Sequence, residues 1–182
     1  LKKSQQIQHD LGKIDFVSVG RLFHQKGFKD LLSAHIRLIK EGFSIKTLLI
    51  GEGSQRSELE KIIADNNVSD SFILGGYQAN PYFYIKTASY FILPSYSEGY
   101  GLVVAEALLL NTYVLSTNVG GIRELIESDD EGILFPPGPE HVYNAMKKVL
   151  TEKESFQQNR NSAQKIIRKK QKTYDQLRDL FN

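Results

Sequence analysis

The sequence predicts one doubly wound α/β domain, a parallel sheet of about six strands with helices on both faces. Three observations lead there. Short apolar, β-rich runs alternate with amphipathic helical patterns along most of the 182 residues, the alternation that βαβ units produce. The runs are continuously apolar and do not alternate with polar residues, as befits strands covered on both faces. A composition of 41% apolar and 24% charged residues suits one globular domain with a full core.

Asp15-Phe16-Val17-Ser18-Val19 reads as the first strand, with the loop 20–27 beyond it. Phe28, Leu31, Leu32, His35, Leu38 and Ile39 then share one face at helical spacing, and Gly42 ends that helix. Thr47-Leu48-Leu49-Ile50 is the second strand. The second helix runs over 54–66, with Leu59, Ile62 and Ile63 buried and Ser54 as N-cap. Phe72-Ile73-Leu74 is the third strand, and Asn80-Pro81 opens a short helix with proline in its first turn. Tyr90-Phe91-Ile92-Leu93 is the fourth strand and stops at Pro94, with a helix over 102–110 after the loop. Tyr113-Val114-Leu115-Ser116 is the fifth strand, followed by a short helix over 122–126. Gly132-Ile133-Leu134-Phe135 is the sixth, closed by Pro136-Pro137-Gly138-Pro139. Helical segments over 141–151 and 155–182 complete the chain, so the domain core spans about 14–151 with 154–182 as a C-terminal helical extension. The basic run Lys165-Ile166-Ile167-Arg168-Lys169-Lys170-Gln171-Lys172 reads as a solvated helix face.

A net charge of +2 makes no global case for nucleic acid or a membrane surface as partner. The absence of cysteine excludes disulfides and zinc-thiolate sites and fits a reducing compartment. No apolar run reaches the length of a membrane span. The chain opens on Leu1 and not on Met, which points to a start inside a longer protein.

Ligands of a doubly wound sheet bind beyond the carboxyl ends of its strands, so the strand-to-helix loops are the places to look. The most informative is Pro94-Ser95-Tyr96-Ser97-Glu98-Gly99-Tyr100-Gly101, running into Leu102-Val103-Val104-Ala105-Glu106. Gly99 and Gly101 allow a ligand close to the backbone. The helix start offers free N–H groups and a partial positive charge suited to phosphate. Glu98 lies just before the helix and Glu106 one turn inside it, where a carboxylate among apolar neighbours needs polar partners, and sugar hydroxyls would serve. On the loop after the first strand, Arg21 and Lys26 are two cations able to stabilise negative charge where it develops.

At these residues the chain resembles glycosyltransferase family 4, the group 1 glycosyl transferases of GT-B type, in which two Rossmann-like domains face a cleft. The motif Glu-x7-Glu is matched by Glu98 and Glu106, inside the wider pattern Pro-Ser-x-x-Glu-Gly-x-Gly-x-x-x-x-Glu-Ala, and Gly-Arg-x4-Lys-Gly is matched from Gly20 to Gly27. The likeness covers roughly residues 15–150 and departs from the family at Asn111-Thr112-Tyr113-Val114 and Ala107-Leu108-Leu109-Leu110, behind the site. It implies the C-terminal, donor-binding half of such an enzyme, with the N-terminal acceptor domain absent. Glu98 would contact the donor's sugar and Glu106 its ribose, while Arg21 and Lys26 bind the diphosphate and the amides of Leu102 and Val103 hold the distal phosphate. Arg21, Lys26 and Glu98 are then the catalytic set. Gly20, Gly51, Tyr77, Gly99, Tyr100 and Gly101 complete the donor-binding surface, with Tyr77 either stacking on the base or simply packing.

The function implied is retaining transfer of a sugar from a nucleotide diphosphate sugar, a UDP-sugar first, to a glycan or lipid acceptor in polysaccharide or glycolipid synthesis. No metal or other cofactor is expected. A nucleotide-sugar epimerase of the same architecture and a non-catalytic nucleotide-sugar scaffold are the alternatives. The expected location is the cytoplasm, at the inner face of the membrane if the missing half binds there, and the chain by itself is expected to bind donor weakly and transfer nothing. Gly51-Glu52-Gly53-Ser54 is no dinucleotide fingerprint, because Arg56 stands where the third glycine belongs. In Gly120-Gly121-Ile122-Arg123-Glu124 the glycines shape a turn and Glu124 caps a short helix. His24 lies between the two cations and could touch phosphate, whereas His35 faces the core as a structural residue.

Overall fold

The computed structural model describes residues 11–152. Strands β1 (Phe16–Val19), β2 (Thr47–Ile50), β3 (Phe72–Gly76), β4 (Tyr90–Leu93), β5 (Tyr113–Thr117) and β6 (Gly132–Phe135) form one sheet. Between them run α1 (Phe28–Lys40), α2 (Arg56–Asp65), α3 (Tyr82–Thr87), α4 (Leu102–Leu109) and α5 (Ile122–Leu125), and α6 (Pro139–Thr151) follows β6. A 3-10 turn over His24–Lys26 precedes α1. The strand order is β3-β2-β1-β4-β5-β6 and every pairing is parallel. The chain therefore reverses direction across the sheet between β1 and β4, the switch point at which open α/β sheets leave a crevice.

Successive strand residues point to opposite faces, and the two faces make two cores. Phe16, Leu49, Ile92 and Leu115 pack with Phe28, Leu31, Leu38, Val142 and Met146 on the side of α1 and α6. Val17, Leu48, Ile50, Phe91, Leu93 and Val114 pack with Ile85, Val104, Ala107 and Ile122 on the side of α3, α4 and α5. Both faces of the central strands are thus covered, and their unbroken apolar runs follow from that. α1 and α6 are also clasped at the surface. The Arg37 guanidinium lies 3.6 Å over the Tyr143 ring, whose hydroxyl donates to Glu41 at 2.7 Å.

His35 is fully buried in α1, its ring nitrogens 2.9 Å from the hydroxyls of Thr47 and Ser71 and its ring edge-on to Phe72. Burial penalises the charged imidazolium and lowers its pKa to about 4. The core reading of His35 holds.

Other details differ from the sequence reading. Ser54 does not cap α2: the N-cap position is Gln55, with no side-chain cap bond, and the Gln55 amide donates to the Leu22 carbonyl at 2.9 Å. β3 continues to Gly76, which pairs with Ile50 after a register shift. Pro139 belongs to the first turn of α6 and not to the close of β6. The short helix α5 carries Glu124 in its first turn without a side-chain cap bond. The segment 155–182 and its basic run lie outside the described residues.

Candidate functional site

The loops after β1 and β4 emerge side by side at the switch point because β1 and β4 are neighbours. They are tied by backbone, the Tyr96 amide donating to the Gln25 carbonyl at 2.7 Å. They are also tied by charge. Lys26 Nζ donates to Glu98 Oε1 at 2.6 Å across 72 positions of sequence, with side-chain exposures of only 16% and 10%. The two signature motifs therefore meet in one ion pair. An ammonium has three donors, so Lys26 keeps two for another anion.

Neighbouring loops hold this pair in place. The Ser95 hydroxyl donates to the same Glu98 Oε1 at 2.6 Å, and Thr117 at the end of β5 donates its hydroxyl to the Ser95 carbonyl at 2.6 Å. The Gly121 amide donates to the Gly99 carbonyl at 2.8 Å. Gly120 sits at φ 57, and a Cβ there would stand 2.1 Å from the Glu98 carbonyl oxygen. Only glycine allows that approach, so the Gly-Gly turn cups the Glu98 backbone in addition to reversing the chain.

Gly20 and Gly51 turn out to serve the contact between the first two strand loops. Gly51 has φ 145, and a Cβ on it would lie 1.8 Å from the Gly20 carbonyl oxygen. The loops zip together through Gly20 N–H to Ile50 and Leu22 N–H to Glu52, at 3.0 and 2.9 Å. Gly99 is different: a Cβ there would meet nothing within 4 Å, so its surroundings are open.

Gly101 is the N-cap of α4 in the left-handed region. Leu102 and Val103 are the first two helical residues, and no carbonyl of the helix lies where their amides could donate. The Leu102 side chain is 70% exposed. One turn on, Glu106 is half-buried and accepts from the Tyr82 hydroxyl at 3.3 Å. The carboxylate expected to need polar partners is thus at the rim, with a tyrosine of α3 as one partner. The charge of Glu106 and this bond raise the Tyr82 pKa.

Arg21 is exposed, its guanidinium 5.2 Å from the Phe23 ring, and it makes no ion pair among the described residues. It shares a loop with Lys26 without joining the Lys26–Glu98 cluster. His24 stacks on Tyr96 with centroids 5.9 Å apart. The Tyr96 hydroxyl donates to Asp30 at 2.5 Å, and this bond, with burial and the Asp30 charge, pushes its pKa up to about 12. Tyr77, just after β3, and Tyr100 are both exposed. Among the described residues no group of three or more His, Cys, Asp or Glu is placed to hold a metal ion, and no helix is long and apolar enough to cross a membrane.

Sequence reasoning missed Tyr82 and Thr117 and gave Ser95 no role. Ser95 stood in the quoted motif, but its bond to Glu98 depends on how the loop folds. Nothing local marks Thr117, which is one of several polar residues on an apolar strand.

The family model described as "Glycosyl transferases group 1" matches residues 1–172. Among curated relatives, the chain is 28% identical over 144 residues to a 2-deoxystreptamine N-acetyl-D-glucosaminyltransferase of Niallia circulans, covering 78% of this chain and 37% of that one. It is 31% identical over 138 residues to an N-acetylgalactosamine-N,N'-diacetylbacillosaminyl-diphospho-undecaprenol 4-alpha-N-acetylgalactosaminyltransferase of Campylobacter jejuni, covering 75% and 37%. The chain thus spans little more than a third of the length of either relative. Among solved structures, Anabaena HepE in complex with UDP and glucose superposes with a TM-score of 0.75 at 21% identity, covering 86% of this chain and 44% of that one. The C-terminal domain of a glycosyl transferase group 1 family protein (LpcC) from Francisella tularensis superposes at 0.72 and 21% identity, covering 90% and 91%. These likenesses show the fold.

Proposed function

The chain belongs to the group 1 glycosyl transferases, and we propose that it is the donor-binding domain of an enzyme that transfers a sugar, with retention, from a UDP-sugar to a glycan or lipid acceptor. The observation that carries this reading is the Lys26–Glu98 pair, formed at the switch point beside the open N-terminus of α4. A cation for phosphate and a carboxylate for sugar hydroxyls, in direct contact, suit a ligand in which phosphate and sugar are joined.

In the proposed complex the nucleotide lies across the ends of β1 and β4. Glu106 accepts from the ribose hydroxyls, and exposed Tyr77 offers a face to the base. The Leu102 and Val103 amides and the two remaining Lys26 donors hold the distal phosphate, joined by Arg21 from its exposed position. Glu98 accepts from a hydroxyl of the sugar. As the bond from the anomeric carbon to the diphosphate oxygen breaks, the acceptor hydroxyl oxygen bonds to that carbon and its proton passes to the released diphosphate. Fixed donors facing that diphosphate stabilise the charge where it develops. The relatives named above act on different acceptors, and the acceptor site would lie in the part of the protein that this chain does not span.

The test is calorimetric titration of the chain with UDP, GDP and ADP, repeated on Arg21→Ala and Glu106→Ala. UDP should bind, and Arg21→Ala should weaken it about tenfold to a hundredfold, the range of a charge-assisted contact. Folded chain that binds none of the three, or variants that bind like the wild type, would remove the reading.

A further inference from the structure

Glu98 uses its two carboxylate oxygens unequally. Oε1 accepts from both Lys26 Nζ and Ser95 Oγ, each at 2.6 Å, and among the described residues no group donates to Oε2. Ser95 is fully buried, so its hydroxyl cannot itself reach a bound ligand. Behind it Thr117, equally buried, donates to the Ser95 carbonyl at 2.6 Å and lies within 3.4 Å of the Leu93 carbonyl. A line of hydroxyls thus runs from the end of β5, through the backbone at the end of β4, to one oxygen of a loop carboxylate.

We propose that Ser95 is a positioning residue for Glu98, with Thr117 as its backing. The two pin Oε1 and turn Oε2 outward to accept a hydroxyl of the donor sugar. This rests on the reading of Glu98 as the sugar-binding carboxylate. A glutamate side chain has three rotatable bonds and several staggered states. Held only by Lys26, its carboxylate could rotate to offer both oxygens to the ammonium, leaving none turned to the ligand. A second donor at a fixed position, converging on the same oxygen, excludes that arrangement. Ser95 supplies it from a backbone that Thr117 and the Tyr96 amide bond both hold.

A positioning role predicts an effect on the sugar and not on the nucleotide. The chain is titrated with UDP and with UDP-glucose, UDP-galactose and UDP-N-acetylglucosamine, and thermal unfolding is recorded for each variant. In Ser95→Ala the affinity for the preferred UDP-sugar should fall about tenfold, the size of one charge-assisted bond, while UDP binds within about twofold of the wild type. Thr117→Val, which keeps the shape and loses the hydroxyl, should act in the same direction, and Thr117→Ser should restore wild-type behaviour. In a Glu98→Ala background, Ser95→Ala should add nothing, because residues acting through one group do not add.

Equal weakening of UDP and UDP-sugar by Ser95→Ala would assign Ser95 a purely structural role and overturn the proposal. So would an effect that persists undiminished when Glu98 is already alanine. Should Ser95→Ala fail to fold, the contrast between Thr117→Val and Thr117→Ser decides in the same terms. Loss of the proposal alone appears as wild-type UDP binding with sugar affinities unmoved by the variants. A wild-type chain that binds no nucleotide removes the donor-site reading and this inference together.

Discussion

A histidine held neutral inside a helix leaves a signature that solution measurements can read. His35 has a folded pKa of about 4 against an ordinary 6.5, lowered by burial. Between those values the unfolded chain binds the proton and the folded chain does not. The stabilisation is therefore full above about pH 6.5, declines as pH falls, and levels off below about pH 4. From pH 7 to pH 5 this one group should cost about 2 kcal/mol of unfolding free energy. Urea unfolding across that interval measures it, and His35→Gln should flatten the dependence. At this scale the sequence was most readable where chemistry is carried by residue type and spacing. The core role of His35 followed from its place on an apolar helix face, and the motifs singled out Lys26 and Glu98, which the fold brings into contact. It was least readable where a role is created by contact across the fold. Ser95 and Thr117 acquire theirs only when β4 and β5 lie side by side, and Tyr82 only when α3 packs beside α4.

Among the elements, the loops after β4 and β5 form one unit. The Gly120-Gly121 turn supplies an amide to the Gly99 carbonyl and leaves no room for a side chain over the Glu98 carbonyl. Gly120→Ala adds a left-handed alanine and a clash with backbone, and these together should lower stability by about 2–4 kcal/mol. Because the clash falls on the Glu98 carbonyl, UDP-sugar binding should weaken even where the variant is fully folded at low temperature. Thermal unfolding and calorimetry below the transition separate the two effects. The order of strands and α-helices was legible throughout the described residues, since run length, flanking Gly and Pro and helical periodicity together separate them, whereas the 3-10 turn over His24–Lys26 was read as loop. Boundaries were less so, for physical reasons. Ser54 has the chemistry of an N-cap, but a contact with a different loop, the Gln55 amide to the Leu22 carbonyl, lies at this end and α2 starts one residue later than Ser54 as cap would place it. β3 outruns its apolar residues because Gly76 resumes the ladder beside Ile50 of β2 after a register shift that skips Gly75.

For the whole molecule, the strand order places both signature loops at one crevice, and that order could not be read from any single segment. What the crevice leaves uncovered is also informative. Leu102 and Leu109, seven positions apart on α4, are 70% and 71% exposed, and they flank Glu106, with Tyr82 beside it. Single exposed leucines are ordinary on a domain surface, and these two mark the side of α4 that carries the proposed ribose carboxylate. The donor loops are nonetheless already joined within this chain, through the Lys26–Glu98 pair and the Tyr96 amide bond. On the proposed reading, nucleotide binding should therefore survive in this chain alone, while transfer should not, since the acceptor site is proposed to lie in a part of the protein that the chain does not span. The purified chain should be stabilised by UDP, by about 2.7 kcal/mol at a hundred times its dissociation constant, and should release no UDP from a UDP-sugar above the uncatalysed rate when acceptors are added. In a longer protein carrying the proposed acceptor site release should appear, and Glu98→Gln there should abolish most of it. Measurable transfer by the isolated chain would show that the crevice at the β1–β4 switch point is a complete active site.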